Sequence, residues 1–154
     1  MDRLQLAGRL LDTLESAGVD YIHWKSNEHL DASLLGDTDL DLLVPPEQME
    51  AFEAVVADLG FVNLVAPPER ETPNTWAYLG SDPQTGSLVL LDVTCALTVG
   101  ERLLKNHVLE VEGWLMHGAT SLYGVKIPPP EKEMAVLYIR SLLKTGRRQL
   151  LRSR

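Results

Sequence analysis

The sequence predicts one α/β domain of the α+β type, built as a small mixed β-sheet with helices packed on one face. Three observations predict it. Apolar residues recur at helical spacing in three separate stretches, residues 4–14, 49–59 and 134–143. Short runs rich in aliphatic, aromatic and β-branched residues lie between them, bounded by Gly, Pro, Asp and Ser. The length of 154 residues suits a single core, and a 45% hydrophobic fraction with 23% charged residues excludes a disordered or fibrous chain. Residues 1–130 are expected to form the domain. Residues 131–154 read as a C-terminal helix and a basic tail, which either frays or leads on to a further domain.

Leu4, Ala7, Leu10, Leu11 and Leu14 make the stripe of an opening helix that Gly18 ends. Asp20–Trp24 then reads as a short buried strand, and Ser26 or Asn27 as the cap of a brief helix that runs to Leu35 before Gly36 breaks it. The run Gly36-Asp37-Thr38-Asp39-Leu40-Asp41-Leu42-Leu43-Val44 is the next strand. Pro45-Pro46-Glu47 starts a helix carrying Met49, Phe52, Val55, Val56 and Leu59, which stops at Gly60. Residues 61–65, 76–79 and 87–93 are expected strands, the last two joined by a Gly-, Pro- and Asp-rich turn. Residues 99–108 read as helix, 122–127 as a strand and Pro128-Pro129-Pro130 as a rigid break. The final helix starts near Glu131, with Met134, Leu137, Tyr138, Leu142 and Leu143 on its apolar face.

The acidic strand carries the chemistry. Side chains alternate along a strand, so Asp39 and Asp41 project to the same side, about 7 Å apart. Asp is a poor strand former, and like charges on one face repel unless a cation lies between them; a divalent metal is the usual one. An edge strand charged against aggregation is the bland alternative, but Leu40, Leu42, Leu43 and Val44 demand a buried strand. Asp37, beside Gly36 and Thr38, reads as a turn residue. In Leu88-Val89-Leu90-Leu91-Asp92-Val93 the lone carboxylate Asp92 is costly unless paired or bound to metal, and Thr94 faces the same way.

A strand, a small polar turn into a short helix, an Asp-aliphatic-Asp strand and a later single Asp resemble the nucleotidyltransferase superfamily related to DNA polymerase β. The resemblance spans roughly residues 19–97, and Trp24-Lys25-Ser26-Asn27 with Asp39-Leu40-Asp41 looks most like uncharacterised bacterial nucleotidyltransferase-like proteins. In that family a Gly-Ser or Gly-Gly pair precedes the Asp-x-Asp or Asp-x-Glu pair by about a dozen residues, and Ser26 precedes Asp39 with residues 27–38 between them. The resemblance implies that Asp39, Asp41 and Asp92 are catalytic and bind Mg²⁺ or Mn²⁺, and that Lys25, Ser26 and Asn27 bind a nucleoside triphosphate. It implies transfer of a nucleoside monophosphate to a hydroxyl of a small-molecule or protein acceptor, with Asp92 orienting or deprotonating that hydroxyl. Lys25 replaces the family's Gly, so an ammonium stands where bare backbone would meet phosphate. A binding or regulatory module without turnover, acting with a partner domain or as an antitoxin with its toxin, is the alternative, as Lys25 can also simply neutralise the acids.

A formal net charge of −8 argues against nucleic acid as a partner, because backbone binding needs a basic surface. No apolar run reaches membrane-spanning length, and the start lacks the features of a signal peptide. With Cys95 as its single cysteine, the chain suits a reducing cytoplasm, and a homodimer or partner protein stays open. His23, His29, His107 and His117 lack metal-ligand spacing, and Trp24, Trp76, Trp114 and Tyr138 read as core or partly buried anchors, Trp76 with the option of lining a base pocket. Arg102 and Lys105 are further cations that could reach a phosphate, although a solvated helix face accounts for them better.

Overall fold

Five strands form the main sheet: β1 (Ile22–His23), β2 (Leu40–Leu43), β3 (Val62–Leu64), β4 (Thr75–Ser81) and β5 (Leu88–Thr94). The structure, a computed structural model, describes residues 3–101 and 104–144. The spatial order is β1-β2-β5-β4-β3; β2 runs parallel to β5 and the other neighbours are antiparallel. The sheet is therefore mixed and the class is α+β. Among the described residues no helix is long and apolar enough to cross a membrane.

Helices α1 (Gln5–Ser16), α2 (Leu30–Leu34) and α3 (Met49–Asp58) supply Leu6, Leu10, Leu14, Leu34, Phe52 and Val56 to the main core. The sheet answers with Leu40, Leu42 and Val44 from the β2 region and Val89, Leu91 and Val93 from β5. Period-two alternation then sends Asp41 and Asp92 to the opposite face. The amino end of α1 is held from afar: the Asp82 carboxylate, in the β4–β5 turn, accepts hydrogen bonds from the Leu6 N–H (2.7 Å) and the Thr85 N–H (3.0 Å). Those bonds hold its carboxyl below the usual range.

Gly36 positions the acidic strand. It turns the chain at φ +82°, and a Cβ there would lie 2.5 Å from the Leu88 carbonyl oxygen. Neither the backbone angle nor that backbone neighbour can yield cheaply. Gly36→Ala is therefore expected to destabilise the fold by about 3 kcal/mol, read as a lowered urea midpoint at unchanged m-value.

The second half departs from expectation in two places. Residues 99–108, expected as helix, lie in a hairpin of β6 (Leu97–Glu101) and β7 (Leu104–Leu109). Leu97 and Val99 are buried and alternate with the half-buried Thr98, a two-residue period that a helical reading of the apolar positions overlooks. Arg102 lies outside the described residues, as does the basic stretch 145–154. Residues 122–127 form not one strand but the hairpin β8 (Thr120–Leu122) and β9 (Val125–Ile127), turning at Tyr123 and Gly124, both at positive φ. The main core also takes Val125 from β9.

The last helix, α5 (Pro130–Lys144), packs by a different face from the one its apolar residues suggest. Val136 is buried against Ile22, Trp24, Leu43, Leu97 and Leu115 in a second, smaller core. Met134, Tyr138 and Leu142 are exposed, as is Trp114 in α4 (Glu112–Met116). Tyr138 and Trp114 are therefore not core anchors. What holds α5 is Val136 together with polar grips: the Lys132 ammonium donates to the carbonyls of Trp114 (2.6 Å) and His117, closing the end of α4. Helices thus pack on both faces of the sheet. The first three cover the main core, and α4 and α5 cover one end of the acid-bearing side.

Candidate functional site

Asp39, Asp41 and Asp92 meet on that side. Asp41 and Asp92 are register partners across the parallel β2–β5 pair, and Asp39 precedes Asp41 by two residues. Each offers a carboxylate oxygen within 4.8 Å of the others. Asp41 is buried, while Asp39 and Asp92 are half-buried. Burial raises the Asp41 carboxyl above the usual carboxylate range, the Lys25 ammonium opposes that shift, and Asp39 and Asp92 add to it. Asp37 is exposed on the preceding bend and does not join the cluster.

Lys25 is at the centre. Its Nζ lies 2.5 Å from Asp41 Oδ1 and 3.3 Å from Asp92 Oδ2, and its side chain is mostly buried. A cation is therefore accommodated between two of the acids. Three carboxylates, all hard oxygen donors, with an ammonium already seated among them form a donor set that suits Mg²⁺ or Mn²⁺.

The turn before α2 is built from below. His23 is fully buried, and its Nδ1 donates to Asn27 Oδ1 at 2.6 Å. Burial lowers its pKa, which favours the neutral ring. Asn27 is thus turned inward, and its backbone N–H points at Glu133 Oε1 of α5 (3.4 Å). Ser26 is exposed, holds a left-handed conformation (φ 59°) and makes no side-chain capping bond. Of the three residues expected on a nucleotide, Lys25 faces the acids, Ser26 faces solvent and Asn27 anchors the turn.

Arg140 escaped the sequence reading, and so did what the buried Trp24 ring supports. Trp24 carries two cations: Lys25 Nζ lies 5.3 Å and Arg140 Cζ 5.6 Å from its ring centroid. Arg140, on α5, lines a cleft of about 330 Å³ together with Trp24, Lys25, Asp92, Thr75 and Thr98. No local motif announces it, because Arg140 reaches the cleft through the packing of α5. Trp76 pairs with Val93 and packs against the main core, on the face opposite the acids.

Fold and site together define a class: an α+β domain with three carboxylates and a lysine on one side of a mixed sheet. No protein-family model, curated protein or solved structure matches the chain.

Proposed function

We propose that this chain is a metal-dependent nucleotidyltransferase of the DNA polymerase β type, moving a nucleoside monophosphate from a triphosphate to an acceptor hydroxyl. The convergence of Asp39, Asp41 and Asp92, from two strands distant in sequence, carries the reading. A sheet that only needed stability would not set a buried carboxylate beside two half-buried ones.

Asp39, Asp41 and Asp92 would hold Mg²⁺ or Mn²⁺, which supplies charge neutralisation at the phosphates and a more acidic acceptor hydroxyl. Asp92 orients that hydroxyl and takes its proton. The acceptor oxygen forms its bond to the α-phosphorus as the bond from that phosphorus to the bridging oxygen breaks, and pyrophosphate leaves. Lys25 gives up its carboxylate partners and offers its ammonium to the triphosphate. Ser26, whose side chain is exposed, donates its hydroxyl to a phosphate oxygen.

The test is thermal unfolding of the chain with each of the four common nucleoside triphosphates and Mg²⁺ or Mn²⁺. At a ligand concentration of about 100 Kd the expected stabilisation is about 2.7 kcal/mol, or about 5–10 °C for a domain of this size. No shift with any triphosphate and either metal would defeat the reading.

A second reading has its own observation. Lys25 already neutralises Asp41 and Asp92, and α5 exposes Met134, Tyr138 and Leu142 along one stripe, as a non-catalytic module that docks on a partner would. Metal binding without pyrophosphate release would favour it.

A further inference from the structure

We infer that the cleft beside Asp92 is the acceptor site, and that it takes a small, hydroxyl-rich anion such as a phosphorylated or carboxylated polyol, with its anionic group on Arg140. The inference rests on the transferase reading for the word acceptor, but the anion site stands on its own geometry.

Position comes first. Asp92 lines the cleft, whereas Asp39, Asp41 and the Ser26–Asn27 turn do not. The cleft therefore opens on Asp92, the carboxylate that orients the acceptor, with Lys25, proposed to meet the triphosphate, also in its wall. Its volume of about 330 Å³ is at the lower end of the range for small-molecule sites, about 300–1,000 Å³. That is room for a monosaccharide-sized molecule.

The lining specifies the chemistry. Arg140 is half-buried, held over the Trp24 ring, and makes no ion pair among the described residues. A guanidinium so placed is pre-organised to bind a planar or tetrahedral oxyanion through paired N–H donors. The Thr75 and Thr98 hydroxyls donate to the Pro73 carbonyl (3.4 and 3.0 Å), which leaves their oxygens to accept from the hydroxyls of a polyol. Lys25 already lies within hydrogen-bond distance of Asp92, so Arg140 is the cleft's uncommitted cation among the described residues.

The experiment is NMR titration of the full chain with ribose 5-phosphate, glucuronate, neutral ribose and inorganic phosphate, following the amides of Thr75, Thr98 and Arg140 and the Trp24 indole. Saturable shifts at these groups with ribose 5-phosphate or glucuronate, and at least tenfold weaker binding of neutral ribose, are expected. Comparing the two anions tells a phosphate site from a carboxylate site. Equal binding of inorganic phosphate and ribose 5-phosphate would overturn the polyol part.

Arg140→Gln should weaken the sugar anion at least tenfold while leaving the thermal response to Mg²⁺ and triphosphate intact, and Arg140→Lys should restore part of the binding. If Arg140→Gln unfolds, Arg140→Lys alone decides, by a several-fold weakening confined to the anionic ligands. Absence of saturable shifts with any of the sugar anions overturns the inference. So does loss of the triphosphate response in a folded Arg140 variant, which would assign Arg140 to the nucleotide. Sugar-anion binding with no response of the wild-type chain to Mg²⁺ and triphosphate would defeat the transferase reading and leave the anion site as that of a binding module.

Discussion

Asp41→Asn is expected to abolish the thermal stabilisation by Mg²⁺ and nucleoside triphosphate, and Asp39→Asn to do the same. Each removes one of three charges that together make the site attractive to a divalent ion. The same substitution at Asp37, exposed and outside the cluster, should leave the shift of about 5–10 °C in place. Without ligand, Asp41→Asn should change stability by only about 1 kcal/mol. It weakens the contact with Lys25, but it also removes a charge that is costly to bury. A large fall in unliganded stability at Asp41 would show that the carboxylate serves the fold before it serves a ligand. Circular-dichroism melts with and without ligand separate the two effects.

Lys25→Met is expected to move metal binding and nucleotide binding in opposite directions. Without the ammonium, nothing has to be displaced from between Asp41 and Asp92, so affinity for Mn²⁺ alone should rise by about tenfold, equivalent to about 1.4 kcal/mol. The response to triphosphate should fall, because the charge that turns to meet the phosphates is gone. Unliganded stability should drop by about 1–3 kcal/mol. Breaking a buried pair strands a carboxylate, but Asp41, already held above the usual range by burial, can take up a proton and limit the cost. Isothermal titration with Mn²⁺, then with triphosphate at fixed Mn²⁺, reads both signs. If Lys25 were only a neutraliser in an inactive module, metal affinity would rise and the triphosphate response would not change.

The acidic centre was legible because it depends on a simple period. Two-residue alternation places Asp39 and Asp41 on one side, and a lone carboxylate in an aliphatic strand marks Asp92. What the sequence could not show was the register that sets Asp41 beside Asp92 across strands about fifty residues apart. The first helices were legible for the same reason, as their apolar stripes are the faces they bury. In α5 that rule fails. Its most conspicuous apolar residues, Met134 and Tyr138, face out, and Val136 with Lys132, Glu133 and Arg140 makes the inward contacts. A helix held beside a charged site largely by polar contacts buries little of its apolar face, so its hydrophobic pattern misdirects. The β6–β7 hairpin was lost to a helical reading because its two-residue period runs for only one step, from Leu97 to Val99.

In the proposed transferase, Asp39, Asp41 and Asp92 hold divalent metal beside a triphosphate. The most direct measurement is a crystal structure with Mn²⁺ and a non-hydrolysable nucleoside triphosphate, with anomalous scattering locating the metal. Anomalous peaks are expected about 2.0–2.2 Å from oxygens of all three carboxylates and of the phosphates, with Lys25 turned from Asp41 toward the triphosphate. Lys25 still seated between Asp41 and Asp92, with no metal at the acids and the triphosphate elsewhere, would contradict it.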